Sequence, residues 1–90
     1  ICAAHNARGI LVHWNDKQVQ LADTQETIQI RFAYTGKVKR QHNRPAETMK
    51  KIWQELGVPP WQRNRIPLIF YGETLQSAVG FFRVFHNLEK

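Results

Sequence analysis

The sequence predicts an α+β fold, with antiparallel strands around one principal α-helix. Three observations predict it. Apolar residues alternate with period two in ILVHW, QVQL and TIQIRFAY, the pattern of strands with one covered face. One stretch alone, Met49, Ile52, Trp53 and Leu56, has the i, i+3, i+4, i+7 spacing of an amphipathic helix. The order is strands, one helix, strands, which favours segregated α+β over alternating strand–helix units. Ninety residues bound a single domain, 1–90, large enough to fold without a disulfide or metal.

Each element follows in order. Residues 1–8 (ICAAHNAR) carry no period and read as the cut edge of a longer chain. After Gly9, Ile10, Val12 and Trp14 share one side of a strand. Asn15-Asp16-Lys17 is turn chemistry, and Val19 and Leu21 return on one face of a partner strand. In TIQIRFAY the apolar face is Ile28, Ile30, Phe32 and Tyr34, with Gln29, Arg31 and Ala33 opposite. Thr35-Gly36 turns into KVKRQ, where Val38 points inward, and a polar loop runs from Arg40 to Arg44.

Pro45 suits the first helical position, where its missing N–H is not needed, which predicts a helix of about three turns. Gly57 supplies a left-handed stop, Val58 packs back on Trp53, and Pro59 forbids continuation. Pro59-Pro60 stiffens the exit. Trp61 is expected to anchor that corner in the core, the alternative being a platform for stacking bases, and Arg63 and Arg65 flank Asn64 in an exposed turn. PLIFY-GE-TLQSAV reads as a hairpin with Gly72 in a type II′ turn, and Gly80 as a kink before a last strand, FFRVF. Of Phe81 and Phe82, one is expected to face the core and the other to meet a neighbouring part of a larger protein.

The composition excludes several classes. Hydrophobic residues at 42% and aromatics at 11% supply a core and rule out a disordered chain. No apolar run reaches the roughly 18 residues of a membrane helix, and the start lacks a basic-then-apolar leader pattern. Cys2 stands alone, so no disulfide framework or thiolate metal site is available and a cytoplasmic location is expected. His5, His13, His42 and His86 share no ligand spacing, and HExxH, CxxC and a glycine-rich phosphate loop are absent. His13 reads as a half-buried sheet residue, and His42, in the basic loop, as a solvated side chain or a phosphate contact. Ser77 has no nucleophile-elbow context. No catalytic residue, bound cofactor or metal is expected in this chain.

Charge points to binding instead. The net charge is +6, yet the segment from Arg31 to Arg65 alone holds nine Lys/Arg against Glu47 and Glu55, a local charge of +7. A localised basic field attracts polyanions, RNA first among them. Lys37, Lys39, Arg40 and Arg44 come from the hairpin and loop, Lys50 and Lys51 from the helix, and Arg63 and Arg65 from the corner after it. These eight are the candidate RNA-binding residues. Lysine acts on phosphate as a point charge, while arginine grips it with two N–H groups. Tyr34 and Tyr71, at strand ends, are candidates for base stacking.

Residues Thr27 to Phe82 carry a more specific signal. IQIRF, TGKVKR, MKKIWQEL, GVPPWQRNRIPL and FYGETLQSAVG follow one another in an order that resembles the C-terminal domain of bacterial tRNA(Ile)-lysidine synthetase. The chain departs from that family in AYTGKVKRQHNRPAE, which is poorer in glycine and arginine, and at Asn64, where an acidic residue is common. The resemblance implies a β-sandwich with a helix, a domain shared with phenylalanyl-tRNA synthetase. It implies a parent enzyme that uses ATP, with magnesium, to join lysine to the wobble cytidine of an isoleucine-accepting tRNA. The catalytic PP-loop, of SGGxDS type, belongs to an N-terminal domain and is missing from this sequence. The domain itself is implied to help hold tRNA toward the acceptor stem, beside the N-terminal and middle domains of the same polypeptide. Arg63 matches the family by position best, then Lys50 and Lys51. A purely structural domain that packs on its neighbours without touching RNA is the alternative.

Overall fold

The chain folds as a central sheet covered on its two faces by different layers. The structure, a computed structural model, describes residues 1–41 and 43–84. The first layer is an antiparallel meander of β1 (Cys2–Asn6), β2 (Gly9–Trp14) and β3 (Lys17–Leu21). The ILVHW and QVQL alternation is realised in it. Ile10 pairs with Leu21 and Val12 with Val19, and all four are buried on one face. The strand β1 was not legible, because every residue of CAAHN is exposed and no inward set marks it. Pairing with β2 alone makes it a strand.

The central sheet has the order β4 (Ile28–Arg31), β7 (Leu68–Tyr71), β8 (Thr74–Ala78) and β9 (Phe82–Arg83). All four residues of β7 are buried, which explains the unbroken apolar run LIFY. Leu68 and Phe70 face one core, with Leu75 and Ala78 beside them, while Ile69 and Tyr71 face the other. The second core is closed by the meander's Ile10, Val12, Val19 and Leu21, and Trp14 packs against both. A bulge between Ile69 and Phe70 shifts the register, so that Leu75 and Ala78, three apart, share a face. Gly72 has φ +62°, and Glu73 does not follow it into positive φ, in agreement with the predicted type II′ hairpin.

The third layer is a ribbon of β5 (Lys37–Val38) and β6 (Glu47–Thr48) running into α1 (Met49–Glu55). The helix is shorter than expected and Pro45 is not in it. Glu47 and Thr48 are claimed by pairing with Val38 and Lys37, and the Thr48 hydroxyl then caps the helix by accepting from the Lys51 N–H. The other end matches the sequence reading. Gly57 has φ +75°, its N–H reaches the Gln54 carbonyl, and the Val58 N–H reaches that of Trp53 at 2.9 Å. These two bonds form a Schellman stop, and Val58 is buried in the core that holds Trp53. Met49, Ile52 and Trp53 are buried, but Leu56 is 38% exposed because it caps the helix at the rim.

Two further expectations fail for identifiable reasons. Ile28, Ile30 and Phe32 are 36%, 41% and 46% exposed instead of buried. Ile28 and Ile30 pair with Tyr71 and Ile69, so they stand on the meander side, and the meander does not cover this edge strand. The opposite face of β4 is the covered one: the Arg31 guanidinium lies 4.5 Å from the Phe70 ring centre and bonds Gln29 and Glu73. The corner after the helix forms a short helix, α2 (Pro60–Arg63), that leads into the expected exposed turn at Asn64 and Arg65, but Trp61 on it is 74% exposed. Trp61 is no core anchor. Phe81 and Phe82 both pack on Trp53, at 6.0 and 5.6 Å between ring centres. Gly80 has φ +82° in the turn between β8 and β9. The end of the expected last strand, from Phe85, lies outside the described residues, as do His42 and His86.

Candidate nucleic-acid interface

The structure divides the eight predicted cations into two groups. Arg40, Arg44 and Lys51 are held by carboxylates. Arg40 donates to Glu47 at 2.9 Å and to Glu55 at 2.5 Å. Arg44 reaches Glu47 at 3.1 Å and Glu55 at 4.0 Å, and the Lys51 amine lies 3.6 Å from Glu47. The network ties the loop after β5 to the ribbon and to the last turn of α1. The hydrogen bond from Arg40 holds the Glu47 carboxyl below its usual range against the opposing effect of burial, helped by the charges of Arg44, Arg40 and Lys51. The same bond to Glu47 raises Arg40 further above its already high value, against burial.

Lys37, Lys39, Lys50, Arg63 and Arg65 make no ion pair among the described residues. Lys37, Lys39, Lys50 and Arg65 are exposed, and Arg63 is half-buried. The Arg63 Nε donates to the Val58 carbonyl at 2.9 Å, which fixes the guanidinium at the end of α2. Lys50 and Arg63 line an open cleft of about 370 Å³ between α1, α2 and the segment that follows β4. Phe32, Tyr34 and Thr35, from the segment after β4, line that cleft, and Asn64 lines it too. Lys37 and Lys39 line a neighbouring hollow of about 220 Å³ that also includes Tyr34. Lys37 and Lys39, in and just after β5, and Lys50 and Arg63, on the two helices, thus line two hollows that share one tyrosine.

Tyr34 is half-buried and set edge-on against Phe70, with ring centres 5.5 Å apart and planes at 67°. Tyr71 is no stacking residue. It is buried, and its hydroxyl donates to the Ala22 carbonyl, a bond that ties the meander to the central sheet. Burial, with the nearby Asp23 charge, pushes its phenol above the usual value. His13 is exposed on β2 instead of half-buried. Sequence reasoning missed Phe32 as a cleft residue because its alternation with Ile28 and Ile30 pointed to the core. Its position directly before the Thr35-Gly36 turn, next to the basic run, was the available signal.

Ser77 is fully buried and donates to the Phe82 carbonyl at 2.9 Å, a bond internal to the sheet. Among the described residues no three His, Cys, Asp or Glu side chains are placed to hold a metal ion. No carboxylate among the described residues lines the main cleft. No described helix is long and apolar enough to cross a membrane.

Known proteins are similar to this chain along most of its length. Residues 28–87 match the family described as TilS substrate C-terminal domain. A tRNA(Ile)-lysidine synthase of Haemophilus influenzae strain PittGG is 64% identical over 80 residues, which is 89% of this chain and 19% of that protein. The same enzyme of H. influenzae strain Rd is 62% identical over 79 residues, 88% of this chain and 18% of the relative. In Histophilus somni strain 129Pt the figures are 56% over 82 residues, 91% and 19%. The chain spans about a fifth of the length of these curated relatives. On the family match and the resemblance of its strands, helix and GVPPW corner, the chain belongs to the TilS substrate C-terminal domain family of the tRNA(Ile)-lysidine synthases.

Proposed function

We propose that this chain is a single, non-catalytic domain that holds tRNA for a tRNA(Ile)-lysidine synthase. The observation that carries the reading is the set of cations left free in the two hollows that share Tyr34: Lys37, Lys39, Lys50 and Arg63, with Arg65 two positions further along the chain. Free cations release counterions from a phosphate backbone on binding, whereas cations already neutralised by Glu47 and Glu55 contribute much less. Arg40, Arg44 and Lys51 then serve chiefly to hold the loop in place. Ligation of lysine to the wobble cytidine of an isoleucine-accepting tRNA, with ATP and magnesium, belongs to the remaining four fifths of the parent enzyme, in the cytoplasm. The relatives' name, tRNA(Ile)-lysidine synthase, supports that parent activity.

Phosphate contacts give affinity and register but carry little sequence information. Selection of one tRNA therefore rests on the remainder of the enzyme or on base contacts by rings such as the exposed Trp61. Titrating the chain with tRNA over a series of salt concentrations tests the reading. Binding whose log affinity falls linearly with log salt is expected, and an absence of binding at low salt would contradict it.

A structural role is the second reading, favoured by the exposed stripe of Ile28 and Ile30 on the meander side of β4. Such a stripe suits packing against another domain of the same polypeptide. If substituting Lys37, Lys39 and Lys50 leaves the parent enzyme's tRNA affinity intact, this second reading replaces the first.

A further inference from the structure

We propose that the cleft between α1, α2 and the segment after β4 seats one unstacked nucleotide of the bound RNA. Its base lies on Phe32 and its phosphate on Lys50 and Arg63. The inference rests on the RNA-holding reading and deepens it. The cleft, at about 370 Å³, falls within the roughly 300–1,000 Å³ range of sites that enclose small ligands. That space suits one nucleotide and is far too small for a duplex.

The lining has the chemistry of a nucleotide site. Phe32 leaves nearly half its surface, 46%, open to solvent at the cleft wall, an unusual exposure for a phenylalanine unless something covers it. Trp53 and Leu68, both buried, supply an apolar floor. The bond from Nε to the Val58 carbonyl holds Arg63 and leaves its terminal N–H groups without another partner among the described residues. A guanidinium fixed in this way is suited to two phosphate oxygens at once. Asn64 adds an amide that both donates and accepts, the pattern needed at a base edge.

Charge decides between occupants. An apolar protein segment laid in the cleft would strip water from Lys50 and Arg63 with nothing to replace it, which is costly. A nucleotide suits both parts of this lining, because its ring covers Phe32 and its phosphate meets the cations. With no carboxylate among the described residues of the lining, nothing there repels the anion.

Two RNAs separate this proposal from the reading beneath it: a hairpin with an unpaired single-stranded tail, and the same stem ended blunt. The tailed RNA is expected to bind at least about fivefold more tightly, the lower end of what one stacked base contributes. Phe32→Ala should abolish that advantage while leaving blunt-stem affinity, salt dependence and thermal melting unchanged, and Phe32→Tyr should retain it. On the unsubstituted chain, adenosine 5′-monophosphate should shift the backbone NMR signals of Phe32, Lys50 and Arg63. Equal affinity for the two RNAs, or nucleotide shifts confined to Lys37 and Lys39, would overturn the nucleotide site and leave RNA holding intact. Failure to bind either RNA would overturn both.

Discussion

Trp53 and Trp61 sit eight positions apart and do opposite work. Trp53 is 5% exposed, lies on the inward face of α1 and meets both Phe81 and Phe82. Trp53→Ala is expected to cost roughly 3–5 kcal/mol in denaturant unfolding, the range for emptying an aromatic site in a packed core. Trp61 is 74% exposed. Trp61→Ala should move stability by no more than about 0.5 kcal/mol, as surface changes do. If its ring stacks on RNA, the same substitution should weaken RNA binding about fivefold or more. Glu47 makes the third residue-scale prediction. Its folded-state carboxyl titrates below the usual 4.5, so its contribution to stability is present above the unfolded value and disappears as pH falls through the folded one. Stability followed by melting from pH 6 downward should therefore decline less steeply in Glu47→Gln than in the natural chain.

At the scale of elements, the helix shows what sequence specifies and what it leaves open. Its end is set locally, by Gly57 in the left-handed conformation and Val58 folding back, and both were readable. A Cβ at Gly57 would meet nothing within 4 Å, so Gly57→Ala isolates the backbone effect. A loss of about 1–2 kcal/mol is expected in thermal or urea unfolding. The helix start was not readable, because a partner 11 residues away, the pairing of Lys37 with Thr48, takes the residues that follow Pro45 into a ribbon. Strand β4 gives the same lesson in another form. Its period of two was legible in Ile28, Gln29, Ile30 and Arg31. Which side is covered depends on how far the meander reaches across the sheet, and it stops short of β4. Arg31 on Phe70 replaces the aliphatic packing that alternation alone suggests. The LIFY strand and the two hairpins needed no such distant information, and their reading survives intact.

Across the whole molecule, three layers place a basic rim beside a small core. The sequence located the positive charge between Arg31 and Arg65, but it did not show how Glu47 and Glu55 divide it. That division requires the loop after β5 to fold against α1, an arrangement no local pattern encodes. In the proposed function the paired cations maintain the shape of the rim and the free ones meet phosphate. The claim is measured most directly by the slope of log affinity for tRNA against log salt. In Lys37→Gln/Lys39→Gln/Lys50→Gln the account predicts a slope shallower by roughly 2–3, about 0.7–0.9 for each phosphate no longer neutralised, with the melting temperature preserved. In Arg40→Gln it predicts a lower melting temperature, with the slope changed by much less than one phosphate's share. An unchanged slope in the triple variant, or a larger loss of slope from Arg40→Gln, would contradict it.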